Sequence, residues 1–122
     1  KTLSPGKKIM VAVKAEPSIN DALVQDARMC GLDRVAEIVS SGSDAPGTIL
    51  PLCSSDFKRW FRRADMVISK GQGNFESLSA ARRQVFFLFM AKCPVVAVHA
   101  GCAVGDIILK HGRGGRPPQG RW

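Results

Sequence analysis

The sequence has little that marks a zinc knuckle, a membrane span or a nucleic-acid surface. Its four cysteines, Cys30, Cys53, Cys93 and Cys102, form no Cys-x-x-Cys pair, and neither histidine stands at zinc-ligand spacing from them. Neither a zinc knuckle nor a redox dithiol is suggested, and the thiols read as reduced and mostly buried, with a disulfide as the alternative for an exported protein. The longest apolar run, 85–91, is far too short to cross a bilayer, and no charged-then-apolar leader opens the sequence. A cytoplasmic protein without membrane contact is the expectation. No stripe of aromatics is interleaved with basic residues for base stacking; Phe86, Phe87 and Phe89 are core material. There is no internal repeat and no initiating methionine, and the first residue, Lys1, suggests a fragment or a processed product.

Acids are also scarce, but unevenly so. Of the formal net charge of +8, Lys110, Arg113, Arg116 and Arg121 supply +4 within the last thirteen residues, where no acid occurs, leaving +4 for residues 1–109. The chain therefore divides into a mildly basic domain, 1–109, and a basic Gly/Pro-rich tail, 110–122, which buries too little apolar surface to fold and is expected to be flexible. Nucleic acid is not favoured as a partner, because the acid-free charge is confined to that tail. With 122 residues and 45% apolar content, the rest suffices for one core.

What is present is an alternation of short apolar runs and helical patterns. Residues 8–13 read as a strand buried on both faces. Pro17 keeps Glu16 out of helical geometry, Asn20 or Asp21 is placed to cap a helix through Cys30, and Gly31 to end it in a left-handed conformation. Residues 35–39 form a second strand, followed by the turn-rich loop 40–48. Ser55 or Asp56 starts a helix through Arg63 with Phe57, Trp60 and Phe61 as its buried stripe. A third strand at 66–69, a helix at 74–81 and a fourth strand at 85–90 follow. Pro94 then suits the first turn of a helix that Gly101 ends, and 105–109 suits an edge strand. This order predicts an α/β fold: a Rossmann-like, three-layer α/β/α domain with a mostly parallel sheet. Ligands of such sheets bind beyond the carboxyl ends of the strands. The residues that fall there are 14–21, 41–48, 70–74 and Lys92, so the polar positions gather at one edge.

Several of these residues suit phosphate chemistry. Asp21 is a hard carboxylate that can ligate a divalent cation, or else cap a helix. Lys70 follows a strand directly, either as a charge clamp for a phosphate or as a solvated lysine in an ordinary turn, and Gly71, Gly73 and Asn74 open the next helix. The glycines allow positive φ and close approach, and the helix start offers N–H groups to an anion. The run is neither a P-loop nor a dinucleotide fingerprint, lacking the four-residue spacer of the one and the third glycine of the other. Lys92, between Ala91 and Cys93, is expected to be nearly buried, a position lysines seldom keep without a partner. The loop 41–48 can contact a substrate or serve only as a crossover, His99 reads as structural or surface, and His111 lies in the tail without evident chemistry.

Taken together, the segments Val11-Ala12-Val13, Pro17 with Asn20-Asp21-Ala22 and Asp26-Ala27, Ser41-Gly42-Ser43-Asp44-Ala45-Pro46-Gly47-Thr48, Ala64-Asp65, Lys70-Gly71-Gln72-Gly73-Asn74-Phe75-Glu76, Phe86-Phe87, Lys92-Cys93-Pro94 and Gly105-Asp106 resemble the metal-dependent damage-control phosphatases, domain-of-unknown-function family 89, in its stand-alone prokaryotic form. The resemblance covers residues 8–109. It implies a hydrolase acting on small phosphorylated metabolites such as sugar phosphates, with magnesium, manganese, cobalt or nickel as cofactor. It also implies an α/β domain beside a helical one. Asp21 falls on the family's third metal ligand, Lys70 on the lysine that contacts the substrate phosphate, and Asn74 and Lys92 on positions lining the same pocket. The family's other two metal ligands, an adjacent Asp and Asn, belong to a strand upstream of the equivalent of Lys8, and no such pair precedes Lys8 here. The chain is thus expected to be the carboxyl-terminal portion of a two-domain protein, with the missing amino-terminal part as its partner. The alternative is a catalytically inactive binding module of the same fold that contacts nucleic acid through its basic tail.

Overall fold

The computed structural model describes residues 6–112. The first strand, β1 (Met10–Val13), pairs in parallel with β2 (Glu37–Ser40), Met10 opposite Glu37 and Val13 opposite Ser40. Between them lies α1 (Val24–Met29), which starts later than the capping signals Asn20 and Asp21 suggest. A turn takes those residues instead: the Asp21 N–H donates to the Ser18 carbonyl at 3.0 Å, and the Lys14 N–H to the Ala22 carbonyl at 3.0 Å. Ile19 stands inside this turn at φ 53°, a left-handed conformation that a β-branched residue rarely adopts. The N-terminus of α1 is closed by Asp26, whose carboxylate accepts the Leu23 N–H at 2.8 Å. Gly31, at φ 71°, follows the helix as its sequence position predicts.

After the loop 41–48, the helix α2 (Ser55–Arg63) is capped by Ser54, whose Oγ accepts the Phe57 N–H at 3.1 Å. Its buried stripe is Phe57 and Phe61, with Trp60 packed partly buried beside them. The Arg83 guanidinium donates to the Phe61 carbonyl and, at 2.6 Å, to that of Ala64, satisfying carbonyls that the helix end leaves open.

A second ladder has the order β3 (Ile68–Lys70), β4 (Val85–Met90), β5 (Ile107–Gly112), the first pair parallel and the second antiparallel. α3 (Gln72–Leu78) crosses from β3 to β4, and α4 (Pro94–Ala100) separates β4 from β5. The α/β arrangement read from the sequence is present, with its strands paired in two ladders. The domain boundary placed after residue 109 cuts through β5: Lys110 pairs with Phe87, His111 with Phe86 and Gly112 with Val85. His111 accordingly has a place in the sheet, its ring stacked on Phe86 at 4.5 Å. Residues 113–122 of the expected tail lie outside the described residues.

Residues opposite one another in a ladder share a face. On the inner face Val85, Phe87 and Phe89 pack with Phe75 and Leu78 of α3 and Val96 and Ala97 of α4. The Phe75 ring stacks on Phe89 at 4.5 Å and meets Phe87 edge-on at 5.2 Å, so the core itself fixes the roll of α3. The outer face carries Ile68, Leu88, Met90, Ile107 and Leu109, all exposed.

Candidate functional site

Four loops leave the carboxyl ends of β1 to β4, and hydrogen bonds join them in series. Lys14, directly after β1, is buried, with its ammonium donating to the carbonyls of Ala45 and Gly47 in the loop after β2. Asp21 Oδ2 lies 3.7 Å from the same ammonium, and its side chain is about half exposed. From that loop, Thr48 Oγ1 donates to Asn74 Oδ1 at 2.7 Å and the Thr48 N–H to Ser77 Oγ at 2.9 Å, both on α3. Asn74 Nδ2 in turn donates to the Lys70 carbonyl at 2.7 Å. The loop after β4 joins through Gln72, whose Oε1 accepts the Lys92 N–H at 2.6 Å.

Glycines make the close approaches possible. A Cβ on Gly47, at φ 70°, would lie 2.6 Å from the Gly73 carbonyl oxygen, so the loop rests on the first turn of α3. Gly71 sits at φ 96° with open space around it, and its N–H is already donated to the Leu88 carbonyl at 2.9 Å. The helix expected from Asn74 begins at Gln72, which places Gly73 and Asn74 inside it and makes Gly71 the capping position.

The sequence-derived residues thus occupy linked loops, although Asp21, Lys70 and Lys92 make no hydrogen bond or ion pair with one another. Lys70 and Lys92 are exposed, and their ammonium groups have no hydrogen-bonded or ion-paired partner among the described residues. For Lys92 this corrects the expectation of a nearly buried side chain: only its backbone N–H is tied down. Asn74 spends its carbonyl oxygen and one amide hydrogen on holding the turn.

Three residues that hold the edge together fall within the ranges the sequence places there but carry no role in that reading: Lys14, Thr48 as a specific donor, and Gln72. Lys14 carried the same signal as Lys70 and Lys92, a lysine at the end of an apolar strand. Next to this group, burial pushes the Cys53 thiol above its ordinary value, against the opposing pull of the Lys14 and Lys58 charges.

A divalent cation does not find a complete site here. Such ions take about six oxygen ligands, whereas Asp21 offers one carboxylate, partly offset by Lys14. No group of three or more His, Cys, Asp or Glu among the described residues is placed to hold a metal. No helix among them is long and apolar enough to cross a membrane.

The fold and this edge define an α/β domain whose loops present lysines, glycines and one candidate metal carboxylate beyond parallel strands. Residues 1–108 match the family model described as the damage-control phosphatase ARMT1-like domain, and the chain belongs to that family. It is 44% identical over 91 residues to a damage-control phosphatase of Pyrococcus horikoshii, covering 74% of this chain and 32% of that protein. A damage-control phosphatase of Archaeoglobus fulgidus is 34% identical over 106 residues, covering 85% of this chain and 37% of the relative. The crystal structure of a DUF89 family protein from Pyrococcus horikoshii superposes with a TM-score of 0.83 at 38% identity, covering 87% of this chain and 38% of that one. The chain spans about a third of the length of the curated relatives it matches.

Proposed function

We propose that the chain carries part of the active site of a metal-dependent phosphatase acting on small phosphorylated metabolites such as sugar phosphates. The observation that supports this most directly is the pair of exposed ammonium groups of Lys70 and Lys92, without a partner among the described residues, one ending β3 and the other following its parallel neighbour β4. A phosphoryl group in transfer spreads negative charge over its peripheral oxygens, and two cations within reach of them lower the cost of that charge. Lys70 acts in catalysis, and Lys70, Gly71, Gly73, Asn74 and Lys92 receive the substrate phosphate.

Asp21 contributes one ligand to a divalent cation (magnesium, manganese, cobalt or nickel), which supplies Lewis-acid assistance when bound. The other ligands come from outside the described residues, in the two thirds of the family chain that this sequence does not span. The exposed apolar outer face of β3, β4 and β5 suits packing by that remainder, beside Lys70. Four free cysteines fit a reducing compartment, hence the cytoplasm.

The test is hydrolysis of a panel of sugar phosphates, with added divalent metal, by the full-length protein and its Lys70→Ala variant. Loss of turnover on the order of a hundredfold at an unchanged melting temperature is expected. Wild-type turnover in the variant overturns the assignment. If the protein instead binds polynucleotide with steep salt dependence and hydrolyses nothing, the binding-module reading takes its place.

A further inference from the structure

We propose that Lys14 is the positioning residue of the phosphate-binding turn: its buried ammonium, at the end of one ladder, holds the loop that fixes Asn74 and through it the Lys70 carbonyl at the end of the other. The inference rests on the phosphatase reading for what the turn does, but not for what Lys14 holds.

The β1–β2 and β3–β4–β5 ladders are separate hydrogen-bonded units. Their carboxyl ends are nonetheless joined by the series Lys14 Nζ to the Ala45 and Gly47 carbonyls, Thr48 Oγ1 to Asn74 Oδ1, and Asn74 Nδ2 to the Lys70 carbonyl. Lysine is among the residues least often found inside, yet the Lys14 side chain is only 10% exposed. A buried ammonium must be compensated by acceptors, and here two backbone carbonyls and the nearby Asp21 carboxylate supply them. The loop it grips has little freedom to drift, since Gly47 lies against the Gly73 backbone and Ala15 N–H donates to the Ser43 carbonyl at 3.3 Å. Any shift of Ala45 and Gly47 therefore reaches Thr48, Asn74 and the Lys70 turn. Asp21 lies against the same ammonium, so one side chain sets the relation between the candidate metal carboxylate and the phosphate-binding turn.

The test uses the chain labelled with 15N and compares wild type, Lys14→Met and Thr48→Val by amide hydrogen exchange and by the chemical shift of the Asn74 side-chain amide. Methionine keeps the volume and removes the charge. In Lys14→Met, exchange should rise about tenfold or more at Ala15 and Thr48, and the Asn74 side-chain signal should move, while the amides of Phe87 and Phe89 in β4 keep their protection. In Thr48→Val the Asn74 signal should move while Ala15 exchanges at its wild-type rate, and in the double variant Lys14→Met should add no further Asn74 shift. A Lys14→Met spectrum with an unmoved Asn74 signal overturns the proposal, because the effect then stops at the loop. Uniform loss of protection including β4 overturns it too, because Lys14 is then only a stability residue. If Lys14→Met does not fold, Thr48→Val decides: an unmoved Asn74 signal there breaks the series. None of these readouts requires hydrolysis, so a protein without phosphatase activity refutes the functional reading and leaves this one standing or falling by itself.

Discussion

Thr48 Oγ1 and Asn74 Oδ1 lie 2.7 Å apart, and this hydrogen bond, with that of the Thr48 N–H to Ser77 Oγ, couples the loop after β2 to α3. Asn74 also donates to the Lys70 carbonyl, so its amide is used on both sides. Thr48→Val should cost about 1 kcal/mol, the worth of one side-chain hydrogen bond. Asn74→Ala should cost about twice that, since it strips a partner from both Thr48 and the Lys70 carbonyl. Urea midpoints of the two variants give the comparison. Equal midpoints would mean that the Asn74 bond to Lys70 contributes nothing.

Gly47 and Gly73 face each other and yet should respond oppositely to the same substitution. Gly47→Ala places a Cβ 2.6 Å from the Gly73 carbonyl oxygen and forces a side chain into φ 70°, which should destabilise by more than about 1 kcal/mol. Gly73→Ala meets Gly47 at 3.7 Å, an ordinary contact, and gains helix propensity worth up to about 1 kcal/mol. Thermal unfolding of the two variants should therefore shift in opposite directions.

Much of this geometry was legible in the sequence wherever the signal is local. β4 stands at 85–90 as read, because a continuous apolar run states its own limits, and α4 starts at Pro94, whose ring presets φ at its first position, and is ended by Gly101, which adopts a left-handed conformation. The Lys70-Gly71 turn was visible for the same reason. The start of α1 was not, since Asn20 and Asp21 carry capping chemistry that a competing turn absorbs through contacts back to Lys14 and Ser18. Lys14 was missed as a site residue because its acceptors lie 31 and 33 positions away. Lys92 shows the converse error: an apolar neighbourhood in sequence suggested burial, but the ladder ends at Met90 and its side chain leaves the surface. Composition averaged over the tail likewise hid Lys110, His111 and Gly112, which pair with β4.

Cys53 gives a prediction in pH. Its thiol is pushed above the ordinary value of 9.0 by burial, so the neutral form is favoured in the fold. A raised folded pKa contributes stability that is fully present below the unfolded pKa and is lost as pH rises through the folded one. The chain should therefore lose stability as pH climbs above about 9, and Cys53→Ala should flatten that part of the profile while lowering stability at neutral pH through the cavity it leaves. Urea unfolding at a series of pH values checks both. An identical alkaline slope in the variant would show that another group sets it.

The outer face of the β3–β4–β5 sheet provides the last test. Ile107 and Leu109 are 75% and 73% exposed on β5, opposite Met90 and Leu88 on β4, which makes an apolar strip across two strands. Isolated apolar side chains on a surface need no explanation, but a contiguous strip on a sheet invites a partner. Side chains that touch little should cost little to replace, so Ile107→Thr with Leu109→Lys should leave the urea midpoint within about 0.5 kcal/mol of wild type. The same pair should reduce dye binding and self-association of the chain, measured by fluorescence of a hydrophobic probe and by light scattering. In a full-length protein in which the remaining two thirds of the family chain packs on this face, the substitutions should instead lower the melting temperature, because the strip is then buried and a lysine there lacks a partner. A midpoint as insensitive in the long protein as in this chain would show that the remainder packs elsewhere, leaving the strip to some other contact.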